Sequence, residues 1–348
     1  MDLITQVTRR MPRNETTRVV AITHNKGGVG KTTTCNILAH GLALHGFKVL
    51  VVELEMSPRF WQINTPGYSD DVADQPRESE TVYGYLQHPD YGLTSGYYAV
   101  DPGKLLAKIP NLRVDYREQL IRERHWEHPV PFFMLPGHRD LWMLQDELSD
   151  ARRSTGENID LRLAHAFRAT DISLFDIALV DTPPTRNVFQ RNGLKGQYLP
   201  GPGAYVIIPV DFDPDASKND FLLSEDAVNQ TITECQQSNI PIPQILGVVY
   251  NQYDPETEDE IDAPLYRTYT QIHADPRTGK STQPLVQYPQ LGFLKRHGDI
   301  KRALARSQSP LTVVPTKETG VAAYDLVCNV EKGLGIAAYV NQQGGSRG

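Results

Sequence analysis

Cysteine is scarce in this sequence of 348 residues. It occurs only three times, at Cys35, Cys235 and Cys328, and forms neither a CxxC pair nor an even-numbered framework. This scarcity argues against zinc or iron–sulfur ligation by thiolates, and favours a reducing, cytoplasmic location.

An excess of positive charge is also missing. The sequence has 35 lysines and arginines and 42 acidic residues, for a net charge of −7. A uniformly basic nucleic-acid coat is therefore excluded, so any contact with DNA must come from a local patch.

Long apolar runs are absent as well. No run approaches the ~18 residues that a membrane-spanning helix needs, and residues 1–17 lack the apolar core of a secretory signal. We therefore expect no transmembrane segment. Apolar residues make up 39% and charged residues 22% of the sequence, which is typical of a folded globular chain. The length is sufficient to bury a core without disulfide or metal cross-links.

Short apolar runs rich in β-branched residues alternate with stretches typical of helices. The predicted strands are 19–23, 49–54, 132–135, 176–180, 205–210 and 245–250, and the predicted helices include 32–45, 215–237 and 318–334. This alternation predicts an α/β fold with a mostly parallel sheet flanked by helices. We expect a tail at 1–17, a single domain at 18–340 and a flexible tail at 341–348. Residues 60–130, rich in tyrosine, proline and glycine, are expected to be an insertion or an elaborated region.

The most informative motif is a glycine-rich loop between a predicted strand and a predicted helix. Its residues are Lys26, Gly27, Gly28, Val29, Gly30, Lys31, Thr32 and Thr33. Glycines let successive backbone N–H groups face phosphate oxygens, and the N-terminus of the helix adds positive charge. In such a loop the final lysine reaches the β- and γ-phosphates, and the hydroxyl that follows it binds Mg²⁺. Lys31 and Thr32 occupy these two positions.

Acidic residues end two other predicted strands. Asp181 follows four apolar residues and precedes Thr-Pro-Pro, which is the Walker B pattern of a carboxylate that holds Mg²⁺ directly or through water. Glu53 and Glu55 end the strand that follows the first predicted helix. These acids are the candidate metal-binding and catalytic groups.

The loop departs from the plain P-loop because Asn25 replaces the first glycine and Lys26 is added. In this form it resembles the ParA and MinD family of deviant-Walker P-loop ATPases, whose signature is KGGxGK[ST], and most closely the ParA type. The resemblance extends over about 18–60, 80–90 and 131–335. It implies that Lys26 crosses a dimer interface to the nucleotide of the partner subunit.

The same resemblance implies roles for the acids. Glu53 and Glu55 occupy two family aspartate positions, so Glu55 is expected to orient the attacking water and Glu53 to support the metal with Thr32 and Asp181. Each glutamate is one methylene longer than aspartate, a departure that bears on the rate of hydrolysis. The implied cofactors are ATP and Mg²⁺, with Asn251 contacting adenine. Since the run from Asn251 to Asp254 is one residue from the NKxD guanine reader, GTP is the alternative.

A basic cluster lies near the C-terminus of a chain that is acidic as a whole. Residues 293–310 contain a single acid, Asp299, and five basic residues: Lys295, Arg296, Lys301, Arg302 and Arg306. ParA-like proteins place DNA-contacting residues in the corresponding region, so these five are candidates for sequence-independent phosphate contacts. The alternative is a solvated basic face. Residues 331–348 lack the lysine- and arginine-rich face of a membrane-binding helix, which disfavours membrane targeting by that route.

The function implied is that of a slow, partner-stimulated ATPase. ATP would bring two subunits together, the homodimer would bind nonspecific DNA on the nucleoid, and a ParB-like adaptor would stimulate hydrolysis to ADP and phosphate. Such a cycle partitions a plasmid or chromosome, or positions another cargo. Two alternatives are a nucleotide-gated scaffold with negligible turnover and a MinD-like, membrane-associated positioning ATPase.

Overall fold

The computed structural model describes residues 17–65, 76–88, 98–106, 114–170, 172–196, 204–211, 217–253, 288–295, 298–306 and 308–336. Its strands are β1 (Arg18–Ile22), β2 (Val49–Glu53), β3 (Tyr98–Val100), β4 (Phe132–Leu135), β5 (Ile177–Asp181), β6 (Tyr205–Asp211), β7 (Gln244–Tyr253) and β8 (Gln290–Lys295). They form one sheet in the order β3-β4-β2-β5-β1-β6-β7-β8. The β3–β4 pair is antiparallel, and the other neighbouring pairs are parallel.

Helices connect the strands and cover the sheet. They are α1 (Lys31–Leu44), α2 (Arg59–Asn64), α3 (Val82–Gln87), α4 (Pro102–Leu106), α5 (Val114–Glu123), α6 (Leu141–Thr155), α7 (Arg162–Thr170), α8 (Val188–Leu194), α9 (Ser217–Ser238), α10 (Gly298–Leu304), α11 (Pro310–Val313) and α12 (Glu318–Leu334). The predicted α/β fold with a mostly parallel sheet is therefore confirmed. Within the described ranges, no helix combines the length and apolarity needed to cross a bilayer.

The central strands alternate their side chains between two buried layers. Val49 and Val51 of β2 join the layer built with α1 and α12, whereas Leu50 and Val52 join the layer built with α6, α7 and α8. A strand buried on both faces needs an uninterrupted apolar run, which explains why the predicted strands lack polar alternation. These two layers fix β2 between helices on both sides of the sheet.

The carboxyl ends of the central parallel strands lie at one edge of the sheet. Ile22 of β1 and Glu53 of β2 are both paired with Asp181 of β5. The backbone N–H of Leu54 donates to the Asp181 carbonyl oxygen at 2.8 Å. The Thr182 hydroxyl donates to the Ile22 carbonyl oxygen at 2.9 Å. The register therefore brings the glycine-rich loop after β1, the acids after β2 and the acid of β5 to the same place.

Helix α1, which follows the glycine-rich loop, packs closely on the last described helix, α12. A Cβ atom added at Gly41 would lie 2.3 Å from Cγ2 of Val327, so the two helices are in direct contact there. One turn later His45 Nδ1 is paired with the Glu331 carboxylate. The C-terminal helix therefore forms part of the support of α1.

The described part of residues 60–130 packs onto the domain. Trp126 is 1% exposed. The guanidinium of Arg124 lies 5.3 Å from the centroid of the Trp126 ring and 4.6 Å from that of Tyr324 in α12. It also donates to the carbonyl oxygen of Pro315 at 2.7 Å. That the region is an insertion stays a prediction, as do the domain bounds; residues 1–16 and 341–348 lie outside the described ranges.

Candidate functional site

The glycine-rich loop between β1 and α1 is open on its outer side. Gly28 (φ +82°) and Gly30 (φ +91°) both adopt left-handed backbone conformations, which strain any residue with a side chain. Within the described part of the chain, no atom beyond the adjacent residues lies within 4 Å of a Cβ placed at Gly27 or Gly28. Gly30 precedes α1 and has no side chain that could cap it, so this position supplies no side-chain acceptor to the first-turn N–H groups of α1. The geometry is that of an anion cradle at a helix N-terminus.

The start of the loop is held by side chains from other elements. The Lys26 N–H donates to His24 Nδ1 at 3.0 Å, and the Asn25 N–H donates to the Ser224 hydroxyl at 3.1 Å. From α8, the Gln190 amide donates to the side-chain oxygen of Asn25 at 2.8 Å. Sequence reasoning missed His24, Gln190 and Ser224. Two of them contact the loop from positions 165 and 199 residues away, so no local spacing could reveal them.

Asn251, at the carboxyl end of β7, supports the loop from beneath. Its side-chain amide donates to the Val29 carbonyl oxygen at 2.7 Å, and the residue is 4% exposed. A Cβ added at Gly30 would lie 2.4 Å from this amide nitrogen. The loop therefore rests directly on Asn251, and the predicted contact of Asn251 with adenine stays a prediction.

Gly30→Ala is expected to lower the free energy of unfolding by about 1–3 kcal/mol, because the new methyl group combines a positive φ with a clash against Asn251. Gly27→Ala is the matched control. Its methyl group meets no atom of the described chain beyond the adjacent residues, so we expect unchanged stability but weaker nucleotide binding, since the methyl group fills the cradle. Urea unfolding and titration with a fluorescent nucleotide measure the two effects. An equal loss of stability in both variants would contradict this account of Gly30.

Lys31 is buried at the start of α1 and is 6% exposed. Its ammonium donates to the Lys26 carbonyl oxygen at 3.1 Å. Burial lowers the pKa of Lys31, and the negative charges of Asp181 and Glu55 oppose that shift. A lysine ammonium has three N–H donors, and this contact within the described chain uses one. The cation is thus placed to bind phosphate oxygens beside the cradle.

Asp181 is fully buried at the end of β5, and neither carboxylate oxygen has a hydrogen-bond partner in the described chain. Burial raises its pKa to about 6, against the opposing effects of the nearby Thr32 hydroxyl and Lys31. A buried carboxylate without donors is costly unless a cation compensates it. Carboxylate and hydroxyl oxygens suit Mg²⁺, which is commonly held by one or two carboxylates together with substrate phosphates. Asp181 and Thr32 therefore fit a magnesium ion.

The two glutamates after β2 differ in their surroundings. Burial, followed by the charge of Asp181, raises the pKa of Glu55 to about 7, whereas Lys31 and Arg59 lower it. The Glu53 carboxylate is 1% exposed and accepts hydrogen bonds from backbone N–H groups of α2 and of the loop after β4. Burial and Asp181 raise the pKa of Glu53 well above its usual range. Glu55 thus shares the site with Lys31 and Asp181; its catalytic role and the metal role of Glu53 stay predictions.

The predicted basic cluster is described in part. Lys301 and Arg302 on α10 and Arg306 after it are exposed. Arg302 is paired with Asp299, which also forms an ion pair with Lys317 at 3.6 Å. The side chain of Lys295 and the whole of Arg296 lie outside the described part. A DNA contact by these five residues stays a prediction.

The fold and the site together define a P-loop nucleotide-binding domain. A family model described as an AAA domain, of the ParA and MinD type, matches residues 17–240. The chain belongs to this family of P-loop ATPases. A septum site-determining protein MinD from Neisseria meningitidis is 45% identical over 42 residues, which make up 12% of this chain and 16% of that relative. This match thus spans about one sixth of that curated relative.

Solved structures with the same fold extend over most of the chain. McdA of Cyanothece has a TM-score of 0.60 at 13% identity, over 92% of this chain and 100% of that chain. Cobyrinic acid a,c-diamide synthase of Mycobacterium smegmatis, with an ATP analogue and magnesium, has a TM-score of 0.56 at 20% identity, over 89% and 92%. A protein described as a plasmid partition protein of Borrelia burgdorferi, bound to AMPPNP, has a TM-score of 0.54 at 17% identity, over 91% and 99%. At these identities the likeness concerns the fold.

Proposed function

We propose that this chain is a ParA-like ATPase that binds ATP with Mg²⁺ at the glycine-rich loop and hydrolyses it slowly. The observation that carries the proposal is the buried Asp181 carboxylate without a hydrogen-bond partner, beside Lys31 and an open anion cradle. Family membership supports ATP hydrolysis. The ATP analogues held by the M. smegmatis and B. burgdorferi structures support adenine over guanine.

Each site residue has a physical task in this proposal. Lys31 and the backbone N–H groups of the loop bind the phosphates and stabilise charge on the transferring phosphoryl group. Thr32 and Asp181 would hold Mg²⁺, which would supply positive charge beside the phosphates. Glu55 orients the water. With a pKa of about 7, its carboxyl group can accept a proton near neutral pH.

The proposed cycle also has a dimeric state. Lys26 lies on the half-buried outer part of the loop, where a second copy of the chain could place its nucleotide within reach of the ammonium. The ATP-bound homodimer would bind nonspecific DNA through Lys301, Arg302 and Arg306, and would thereby associate with the nucleoid. A ParB-like adaptor would stimulate ATP hydrolysis and the release of the dimer from DNA. Repeated binding and release would move or position the cargo.

A second candidate function is a nucleotide-gated scaffold with negligible turnover. It is favoured by the longer side chains at Glu53 and Glu55 and by the backbone hydrogen bonds that occupy the Glu53 carboxylate. Turnover that neither DNA nor a partner accelerates, together with ATP-dependent dimerisation, would support this alternative.

The proposal is tested by fluorescence anisotropy of a random-sequence duplex, in ATP–Mg²⁺ and in ADP–Mg²⁺, across a salt series. We expect tight, salt-sensitive binding with ATP alone. Lys301→Glu should weaken binding and lower the slope of log K against log salt by about one. Arg153→Glu is the control, since Arg153 is an exposed arginine of α6 on the other side of the sheet.

Two results would count against the proposed DNA contact. An unchanged salt slope in Lys301→Glu would place the DNA-binding face elsewhere on the molecule. Absence of binding with either nucleotide would assign α10 to a solvated basic face and favour the scaffold. Pelleting with liposomes in ATP would then test the MinD-like, membrane-associated alternative.

A further inference from the structure

The carboxylate of Glu53 connects two separate segments of the chain. One oxygen accepts the Phe60 N–H at 2.6 Å, and the other accepts the Trp61 N–H at 3.4 Å and the Gly137 N–H at 3.2 Å. Phe60 and Trp61 belong to the first turn of α2, whereas Gly137 lies in the loop between β4 and α6. Pro58, which precedes α2, makes no side-chain capping hydrogen bond. Glu53 therefore supplies acceptors to N–H groups that α2 itself leaves unpaired.

Glu55 lies inside the short segment that these hydrogen bonds close. The segment begins at Glu53 and ends at Phe60, so the Glu53–Phe60 hydrogen bond joins its two ends. Its first part is held to β5 by the Leu54 N–H, which donates to the Asp181 carbonyl oxygen. A Cβ added at Gly137 would lie 2.2 Å from the Glu55 carbonyl oxygen, so the β4–α6 loop lies directly against the Glu55 backbone. The backbone of Glu55 is thus confined from three directions.

We propose that Glu53 is a positioning residue for Glu55. Its carboxylate fixes the backbone of Glu55, and thereby how far the Glu55 side chain extends toward the nucleotide, rather than binding the metal. This role rests on the proposed function, because it assumes that Glu55 orients the attacking water. Glu53 spans from the end of β2 to both segments and accepts three backbone N–H groups. Asp181, its neighbour across the β2–β5 pair, accepts none within the described chain. Of the two buried carboxylates, Asp181 is the one left for a cation.

The test is a steady-state comparison of the native chain with Glu53→Gln over ATP and Mg²⁺ concentrations. Glutamine keeps the shape and one acceptor, but its NH₂ group faces N–H groups that need an acceptor. We expect kcat to fall about 10- to 100-fold, because small displacements of a catalytic group have effects of this size. The KM for ATP and the half-saturating Mg²⁺ concentration should stay unchanged. A metal ligand would instead raise the half-saturating Mg²⁺ concentration, and that result would overturn the proposal.

A second variant disturbs the backbone of Glu55 from the side of Gly137. Gly137→Ala pushes a methyl group into the Glu55 carbonyl oxygen and should reproduce the loss of kcat. The two substitutions should be non-additive in the double variant, because both displace the backbone of Glu55. Gly320→Ala is the matched control, since its Cβ would lie 2.1 Å from a backbone carbonyl oxygen, that of Val314 in the α11–α12 region. It should lower the melting temperature and leave kcat unchanged.

The outcomes separate this role from the proposed function. Absence of turnover in the native chain overturns the proposed function and this role with it. Native turnover that Glu53→Gln and Gly137→Ala both retain, with melting temperatures showing that each variant is folded, overturns the role alone. Loss of kcat in both variants at unchanged Mg²⁺ dependence establishes it.

Discussion

Replacing Lys31 with alanine is expected to weaken ATP binding by about 100-fold or more. The Lys31 ammonium is buried beside the cradle, so its contacts with phosphate oxygens form in a site shielded from water. Hydrogen bonds to charged groups contribute about 1.5–3 kcal/mol each. The loss of two of them corresponds to a Kd that is weaker by about 100-fold or more. Isothermal titration with ATP and with ADP measures the effect.

Lys26→Ala is the matched control for that experiment. Lys26 belongs to the same loop, but its side chain is half-buried on the outer part. We expect Lys26→Ala to keep the ATP affinity of the native chain and to lose ATP-dependent dimerisation, which sedimentation velocity measures. An ATP affinity of Lys31→Ala equal to that of the native chain would refute the assignment of the phosphate site. A stable ATP dimer of Lys26→Ala would refute the role of Lys26 across the interface.

Asp181→Asn is expected to have opposite effects on catalysis and on stability. It removes the carboxylate that fits Mg²⁺, so kcat should fall by about 100-fold or more. It also removes a buried charge without a hydrogen-bond partner in the described chain, so the nucleotide-free protein should melt at a higher temperature. Calorimetry without nucleotide or Mg²⁺ measures the second effect.

The pH dependence of that melting temperature has a definite sign. The pKa of Asp181 is raised to about 6 in the folded chain, above the value of about 3.9 for an unfolded aspartate. The folded chain therefore binds more protons, and its stability falls as the pH rises from about 4 to about 6. Asp181→Asn should remove this part of the slope. A steeper slope in the variant would contradict the assignment.

Asp160 offers a control of the opposite kind. It is also buried, but its carboxylate accepts from Arg191 at 2.8 Å and from Lys195 at 3.4 Å. Removal of this buried charge takes a carboxylate partner from both cations, although Lys195 keeps its ion pair with Glu234 at 2.7 Å. Asp160→Asn should therefore lower the melting temperature, whereas Asp181→Asn raises it.

The central part of the fold was predictable because its signals are local. Strands β1, β2, β4, β5, β6 and β7 lie within a few residues of the predicted runs, and α12 has the predicted bounds. Two edge strands were missed. β3 has only three residues, in a region without apolar periodicity, and β8 contains Gly292 within a short mixed run. An edge strand depends on its one neighbour, so its own sequence carries a weaker signal.

The sequence also predicted which residues meet at the candidate site, because each belongs to a local pattern. The loop from Lys26 to Thr33 is a contiguous signature, and Asp181 follows an apolar strand. The surroundings of these residues were not predictable, because they are made by residues distant in sequence. Glu53 shows this most clearly, since its position at a strand end suggests a metal ligand. Its hydrogen bond to Gly137, 84 residues away, is visible only in the folded chain.

The contact between α1 and α12 has a consequence for the folding of the chain during its synthesis. His45 and Glu331 are 286 residues apart in sequence, so a nascent chain must extend through α12 before α1 gains this support. Contacts of such long range slow folding and leave apolar surface exposed in the meantime. During synthesis the face of α1 that contacts Val327 therefore stays uncovered until α12 has left the ribosome.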